Sequence, residues 1–291
     1  MEKKKFFIFI ALCFGISLTA AGLFHFLGGN YKSLWGNLFA TGYMIIPMIA
    51  VVCTQLITGE KPFSGCGVTF RMKWLWLIAG LLAMQAFAVL VLPVSALMPG
   101  TSICTDSEPI IQAIETFKAQ GLNIGPWGLM GISIVSAIFA ACTINAVFAF
   151  CEEVAWRGFL SRLLKDLGFW KKSLFIGAIW GLWHAPVILM GHNYPNHPVI
   201  GVFMMIAFCI LFAPLIQFIR AKAKSVIAAA VMHGSVNASA GLSILYLSGY
   251  NELLCGCSGA VGFTILLLAD IAIAIYLKNR KKAVVEAVAT E

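Results

Sequence analysis

The sequence predicts an all-α, polytopic membrane fold with about eight transmembrane helices and both termini cytoplasmic, and three observations carry that prediction. First, 60% of the 291 residues are hydrophobic and only 11% are charged. Soluble domains carry about 25% charged residues, so a soluble globule of this length would lack the charges to cover its surface. Second, the apolar residues gather in runs of about 20, the length that crosses about 30 Å of hydrocarbon at 1.5 Å per residue. Third, one threading of those runs puts all but Lys32 and Lys118 of the 20 Lys and Arg on the same side of the bilayer.

The runs cover 6–27, 35–58, 74–98, 127–151, 172–191, 199–219, 225–247 and 258–277. The first follows Lys3-Lys4-Lys5 and ends in bulky Phe26-Leu27 rather than a small-residue cleavage site, so it reads as a retained helix. The fourth continues as helix to about residue 166, since 152–166 holds no Pro and a single Gly. The longest loop, 99–126, carries Asp106, Glu108 and Glu115, and its segment 109–119 is expected to form a short interfacial helix. With no repeat or low-complexity stretch, residues 1–291 read as a single integral membrane domain.

The distribution of Lys and Arg selects the orientation, because cytoplasmic loops carry the excess of basic residues. It also accounts for the net charge of +8: the cations border the membrane, facing anionic headgroups, and no nucleic-acid partner is implied. Five of the nine cysteines (Cys13, Cys53, Cys142, Cys151 and Cys209) sit in apolar runs, where Cys behaves as a small hydrophobe. Cys104 shares an external compartment with Cys255 and Cys257, and both a disulfide and free thiols are compatible with that placement.

Ionisable groups inside a span are costly and mark function. The helix of the fourth run carries Glu152-Glu153-Val-Ala-Trp-Arg157, the fifth contains Trp180-Gly-Leu-Trp-His184, and the seventh contains His233-Gly-Ser-Val-Asn237. Glu152 lies 13 residues before Lys165, His184 lies 13 after Lys171, and Asn237 lies 13 after Lys224. Each is therefore about 20 Å along its helix from a basic end. The three helices share one polar layer, expected on the cytoplasmic side of the membrane. Glu153 and Arg157 are four residues apart on one helix face and can pair as supporting groups. Glu152 points about 100° away, at 3.6 residues per turn, and is free to face a cavity as general base. His184 is placed to share its water, and Trp180 to line the pocket. His233 and Asn237, also four apart, present two donors for an oxyanion.

Bland readings exist for each group: a structural Glu153–Arg157 pair, a histidine bonding between helices, tryptophans 156, 170, 180 and 183 as packing and interface belt. Asp270 is left outside the site, and His25, His192 and His197 are expected to face water. The matching depth of Glu152, His184 and His233 favours one shared site.

Together these motifs, in this order on successive helices, resemble the CAAX-protease and bacteriocin-processing family of intramembrane endopeptidases, which includes Ras-converting CAAX endopeptidases and abortive-infection proteins. The resemblance covers about 127–247 and implies a catalytic core there, with its cavity open to the cytosol. It implies a glutamate-activated water at Glu152, assisted by His184, with His233 and Asn237 as the oxyanion site. The family's second motif has Phe four residues before its His; Trp180 stands there in this chain. No H-E-x-x-H motif is present, so no cofactor is expected, and Glu152, His184 and His233 would be the ligands if zinc were bound. The expected substrate is a membrane-embedded or lipidated peptide or protein, in a multi-pass protein of a prokaryotic plasma membrane. The competing functions are a non-proteolytic scaffold or bacteriocin-immunity protein and a proton-relaying transporter.

Overall fold

The computed structural model describes residues 2–31 and 33–289, with side chains described as far as Arg280. Lys32 and the side chains of Lys281 and Lys282, which enter the basic-residue pattern, lie outside the described residues. The chain is almost wholly helical. Its helices are α1 (Glu2–Phe26), α2 (Leu34–Tyr43), α3 (Ile46–Ile57), α4 (Trp74–Ser95), α5 (Glu108–Ala119), α6 (Pro126–Cys142), α7 (Ile144–Glu153), α8 (Ser161–Leu163), α9 (Phe169–Trp183), α10 (Ala185–Leu189), α11 (Pro198–Ala223), α12 (Val226–Leu245) and α13 (Ala260–Ala289). A π-helical segment, Val154–Leu160, joins α7 to α8. The interfacial helix expected at 109–119 is α5. Two short strands, β1 (Ser102–Ile103) and β2 (Leu247–Ser248), pair antiparallel and tie its loop to the end of α12.

Among the described residues six helices or helix pairs are long and apolar enough to span a bilayer, and α6 with α7–α8 adds a seventh if that pair, bent by 47°, is one span. The sequence expectation of eight exceeds this count by the fifth run. There α9 has only 15 residues and stops at His184, after which α10 adds five more. The cause is Pro186, which has no N–H for the carbonyl of Leu182 and ends the regular ladder.

The bundle is organised around α12, which packs on α4, α6, α7 and α11. Of its apolar window 61% is buried, against 22% for α1 and α13, which are the lipid-facing flanks. Two glycines make close approaches that set the site. A Cβ on Gly181 would lie 2.5 Å from Cα of Ile206, so only glycine lets the end of α9 rest on α11. A Cβ on Gly234 would lie 2.9 Å from the backbone N of Ala146, so glycine lets α12 abut the break between α6 and α7.

One end of the bundle gathers the basic residues. Glu60, in the loop after α3, accepts from Nζ of Lys5 at 2.6 Å and from Arg162 at 2.7 Å. The backbone amide of Lys73 donates to Ala223, and that of Val226 to Gly67. The other end carries the β1–β2 pair and the segments 27–31, 96–125, 190–197 and 246–259.

Candidate active site

Glu152 and Glu153 are the last two residues of α7, and the π-helical segment begins directly after them. Single π turns recur at functional sites because they redirect side chains within a continuous helix. Here Arg157 donates from NH1 to Oε1 of Glu153 at 3.0 Å, with both side chains buried, so the pair expected from the four-residue spacing forms. Trp156 stands in the same relation to Glu152 and donates its indole N–H to Oε2 at 3.4 Å.

Glu152 is 2% exposed, and its strongest partner comes from α9: Trp180 donates its indole N–H to the same Oε2 at 2.7 Å. The Arg157 guanidinium lies over the Trp180 ring, 4.5 Å from its centroid. Trp156 and Trp180, read from the sequence as packing, belt or pocket lining, are thus the hydrogen-bond donors that hold the carboxylate. Their signal in the sequence is spacing alone: Trp156 is four residues after Glu152, and Trp180 four before His184.

His184 sits where α9 ends. Its Nδ1 is 2.8 Å from the carbonyl of Trp180; a carbonyl only accepts, so Nδ1 carries the proton and Nε2 presents a lone pair. The backbone beside it is held by a residue that the sequence did not single out. The break at Pro186 frees the carbonyl of Trp183, and Tyr43 of α2 donates its hydroxyl to it at 3.1 Å. Trp183 in turn donates to Ser17 of α1 at 2.8 Å.

On α12, Nδ1 of His233 is 2.9 Å from Oε1 of Glu153, the oxygen that also receives Arg157. A carboxylate only accepts, so Nδ1 of His233 is also protonated. The sequence reading joined Glu153 to Arg157 alone; the fold makes it a hub that orients His233 as well. Asn237, one turn on, is exposed to the interior space rather than bonded within the protein.

Glu152, Trp180, His184, His233 and Asn237 all line one cavity of about 500 Å³, together with Asn145 of α7. Met205, Phe208, Phe212, Val236 and Ile244 form its apolar wall. Tyr31, His192, Asn193 and Ser258 lie toward the loop-bearing end. His192, expected to face water, is packed 5.6 Å from the Tyr31 ring.

Among the described residues no three His, Cys, Asp or Glu side chains converge to hold a metal. The Glu152 oxygen is turned to two indole N–H groups, and His233 leans on Glu153. A depth of about 20 Å from the basic ends is past the middle of a layer about 30 Å thick, and the cavity continues from there away from the basic residues, not toward them. Cys104, Cys255 and Cys257 are free thiols, with Cys104 bonded to Asp106.

Residues 131–239 match the family model described as type II CAAX prenyl endopeptidase Rce1-like. The matched stretch runs from α6 to α12 and contains every residue of the polar layer from Glu152 to Asn237. No curated protein matches the chain significantly.

Proposed function

From its type II CAAX prenyl endopeptidase-like segment, we propose that this integral membrane protein is an endopeptidase that hydrolyses a peptide bond of a membrane-associated peptide or protein with a water activated by Glu152. The observation that carries the reading is the convergence of Glu152, His184, His233 and Asn237 on one cavity from three helices.

The roles follow from the hydrogen bonds. Glu152 keeps one oxygen tied to Trp180 and Trp156 and faces the cavity as the base that takes a proton from water. His184 presents its Nε2 lone pair and orients that water. The developing oxyanion requires donors aimed at it in a water-poor site. Asn237 offers its amide N–H₂, and His233, oriented by Glu153 through Nδ1, stands one turn from it on the same helix face. The proton on Glu152 then passes to the leaving amine. No step requires a metal.

The test uses full-length protein purified in detergent, incubated with a farnesylated CAAX-terminated peptide and with unprenylated, acyl-anchored peptides of mixed sequence. Glu152→Gln is expected to lower cleavage by about 100-fold or more, the usual worth of a general base, and cleavage by the native protein should survive EDTA. Undiminished cleavage by folded Glu152→Gln would refute the mechanism. A fully functional but non-cleaving protein would favour the scaffold or immunity reading.

A further inference from the structure

The cavity leads from the Glu152 layer to one end of the bundle. On α12 its wall consists of Val236, Asn237, Ala240, Gly241 and Ile244, all beyond His233 toward the C-terminal end of that helix. Leu245, the last residue of α12, is eight positions from Asn237, a distance of about 12 Å. At that end the polar lining includes Tyr31 after α1, His192 and Asn193 after α10, and Ser258 before α13.

The other direction is closed. Trp156, Phe159 and Leu160 have 0% exposure below Glu152, and Arg157 has 1%. A Cβ on Gly158 would lie 2.8 Å from the carbonyl oxygen of Cys66, so the loop after α3 sits directly on the π-helical segment. Beyond it, Glu60 bridges Lys5 and Arg162. That closed end is also where Lys73, Arg162, Lys172, Arg220, Lys222 and Lys224 lie. Such a bias of Lys and Arg marks the cytoplasmic side.

We infer that the catalytic cavity opens on the extracytoplasmic side of the membrane and receives a membrane-anchored peptide segment from that side. Apart from Glu152, no Asp, Glu, Lys or Arg lines the cavity among the described residues, and Met205, Phe208 and Phe212 flank the reacting groups. The accepted segment is therefore uncharged around its scissile bond. The substrate half of this inference rests on the endopeptidase reading; the direction of opening does not.

The test places single cysteines in a full-length parent carrying Cys104→Ser and Cys257→Ser and exposes bacterial cells expressing it to a membrane-impermeant maleimide. Gly241→Cys is on the cavity wall, where an added Cβ meets open space. Ser258→Cys is at the mouth, and Ser64→Cys is exposed at the basic end. The expected result is that Gly241→Cys and Ser258→Cys label on intact cells as fully as after permeabilisation, and Ser64→Cys only after permeabilisation. Labelling of Gly241→Cys only in inside-out vesicles, or from neither side, overturns the inference. If Gly241→Cys does not insert, Ala240→Cys on the same wall replaces it. In detergent, external labelling of Gly241→Cys should abolish cleavage of the farnesylated peptide relative to the same unlabelled variant; unchanged cleavage overturns the assignment of this cavity to substrate. Labelling needs no turnover, so failure of the peptidase reading leaves the direction of opening measurable, and the reverse also holds.

Discussion

Glu152 and Glu153 are neighbours with opposite surroundings. Glu152 meets only neutral donors, the indoles of Trp180 and Trp156. Glu153 faces Arg157 and His233. Replacing Glu152 by Gln keeps an acceptor oxygen for both indoles, so the thermal unfolding midpoint in detergent should hold while cleavage is lost. Replacing Glu153 by Gln strips Arg157 of its counter-charge, and an uncompensated buried charge costs about 3–5 kcal/mol. A marked fall in the unfolding midpoint of Glu153→Gln, absent in Glu152→Gln, is the expected contrast. Trp180→Phe restores the residue of the family pattern but removes the donor at 2.7 Å. A hydrogen bond to a charged group contributes about 1.5–3 kcal/mol, and about 1.4 kcal/mol is tenfold. Steady-state kinetics should show kcat down by tenfold or more with KM little changed, and a displaced pH–rate profile; an unaltered profile would reduce Trp180 to packing.

At the scale of elements, two irregular segments carry the site: the π turn after Glu153 and the break at Pro186. Each exposes backbone that the fold must satisfy. Tyr43, 3% exposed, supplies the hydroxyl that the Trp183 carbonyl needs. Tyr43→Phe leaves that carbonyl unpaired, at a cost of about 1–3 kcal/mol, and should lower the unfolding midpoint and slow cleavage together, because His184 is the next residue. The loop after α3 is held by Glu60. Arg162 above all, and Lys5 and Gln55 after it, hold its carboxyl down at about 2 against the ordinary 4.5. A depressed folded-state value means that this stabilisation is complete above about pH 4.5 and is lost as pH falls toward 2. The midpoint difference between native protein and Glu60→Gln should accordingly shrink across that window; a difference that stays constant would show that the carboxylate charge is irrelevant there.

For the whole molecule, composition determined the membrane class, because a chain with 11% charged residues can cover its outside only with lipid. Helical spacing alone predicted the Glu153–Arg157 pair, since four residues on one helix is a fixed distance whatever the surroundings. Membership of Glu152, His184, His233 and Asn237 in one site was also legible, because equal depth on helices that pack must bring them level. What sequence spacing could not supply is any relation across helices. It did not show that Trp180 and Trp156 share a carboxylate oxygen, or that Glu153 also holds His233. The support of Tyr43 for the end of α9 was equally invisible. The end of the bundle toward which the cavity extends was out of reach too, since distance along a helix is the same whichever end is open. These were decided by contacts as far apart in sequence as Tyr43 and Trp183, or Glu60 and Arg162. Only packing brings such residues together, and the glycines and the proline that shape the packing act locally on the backbone while their consequences appear a helix away.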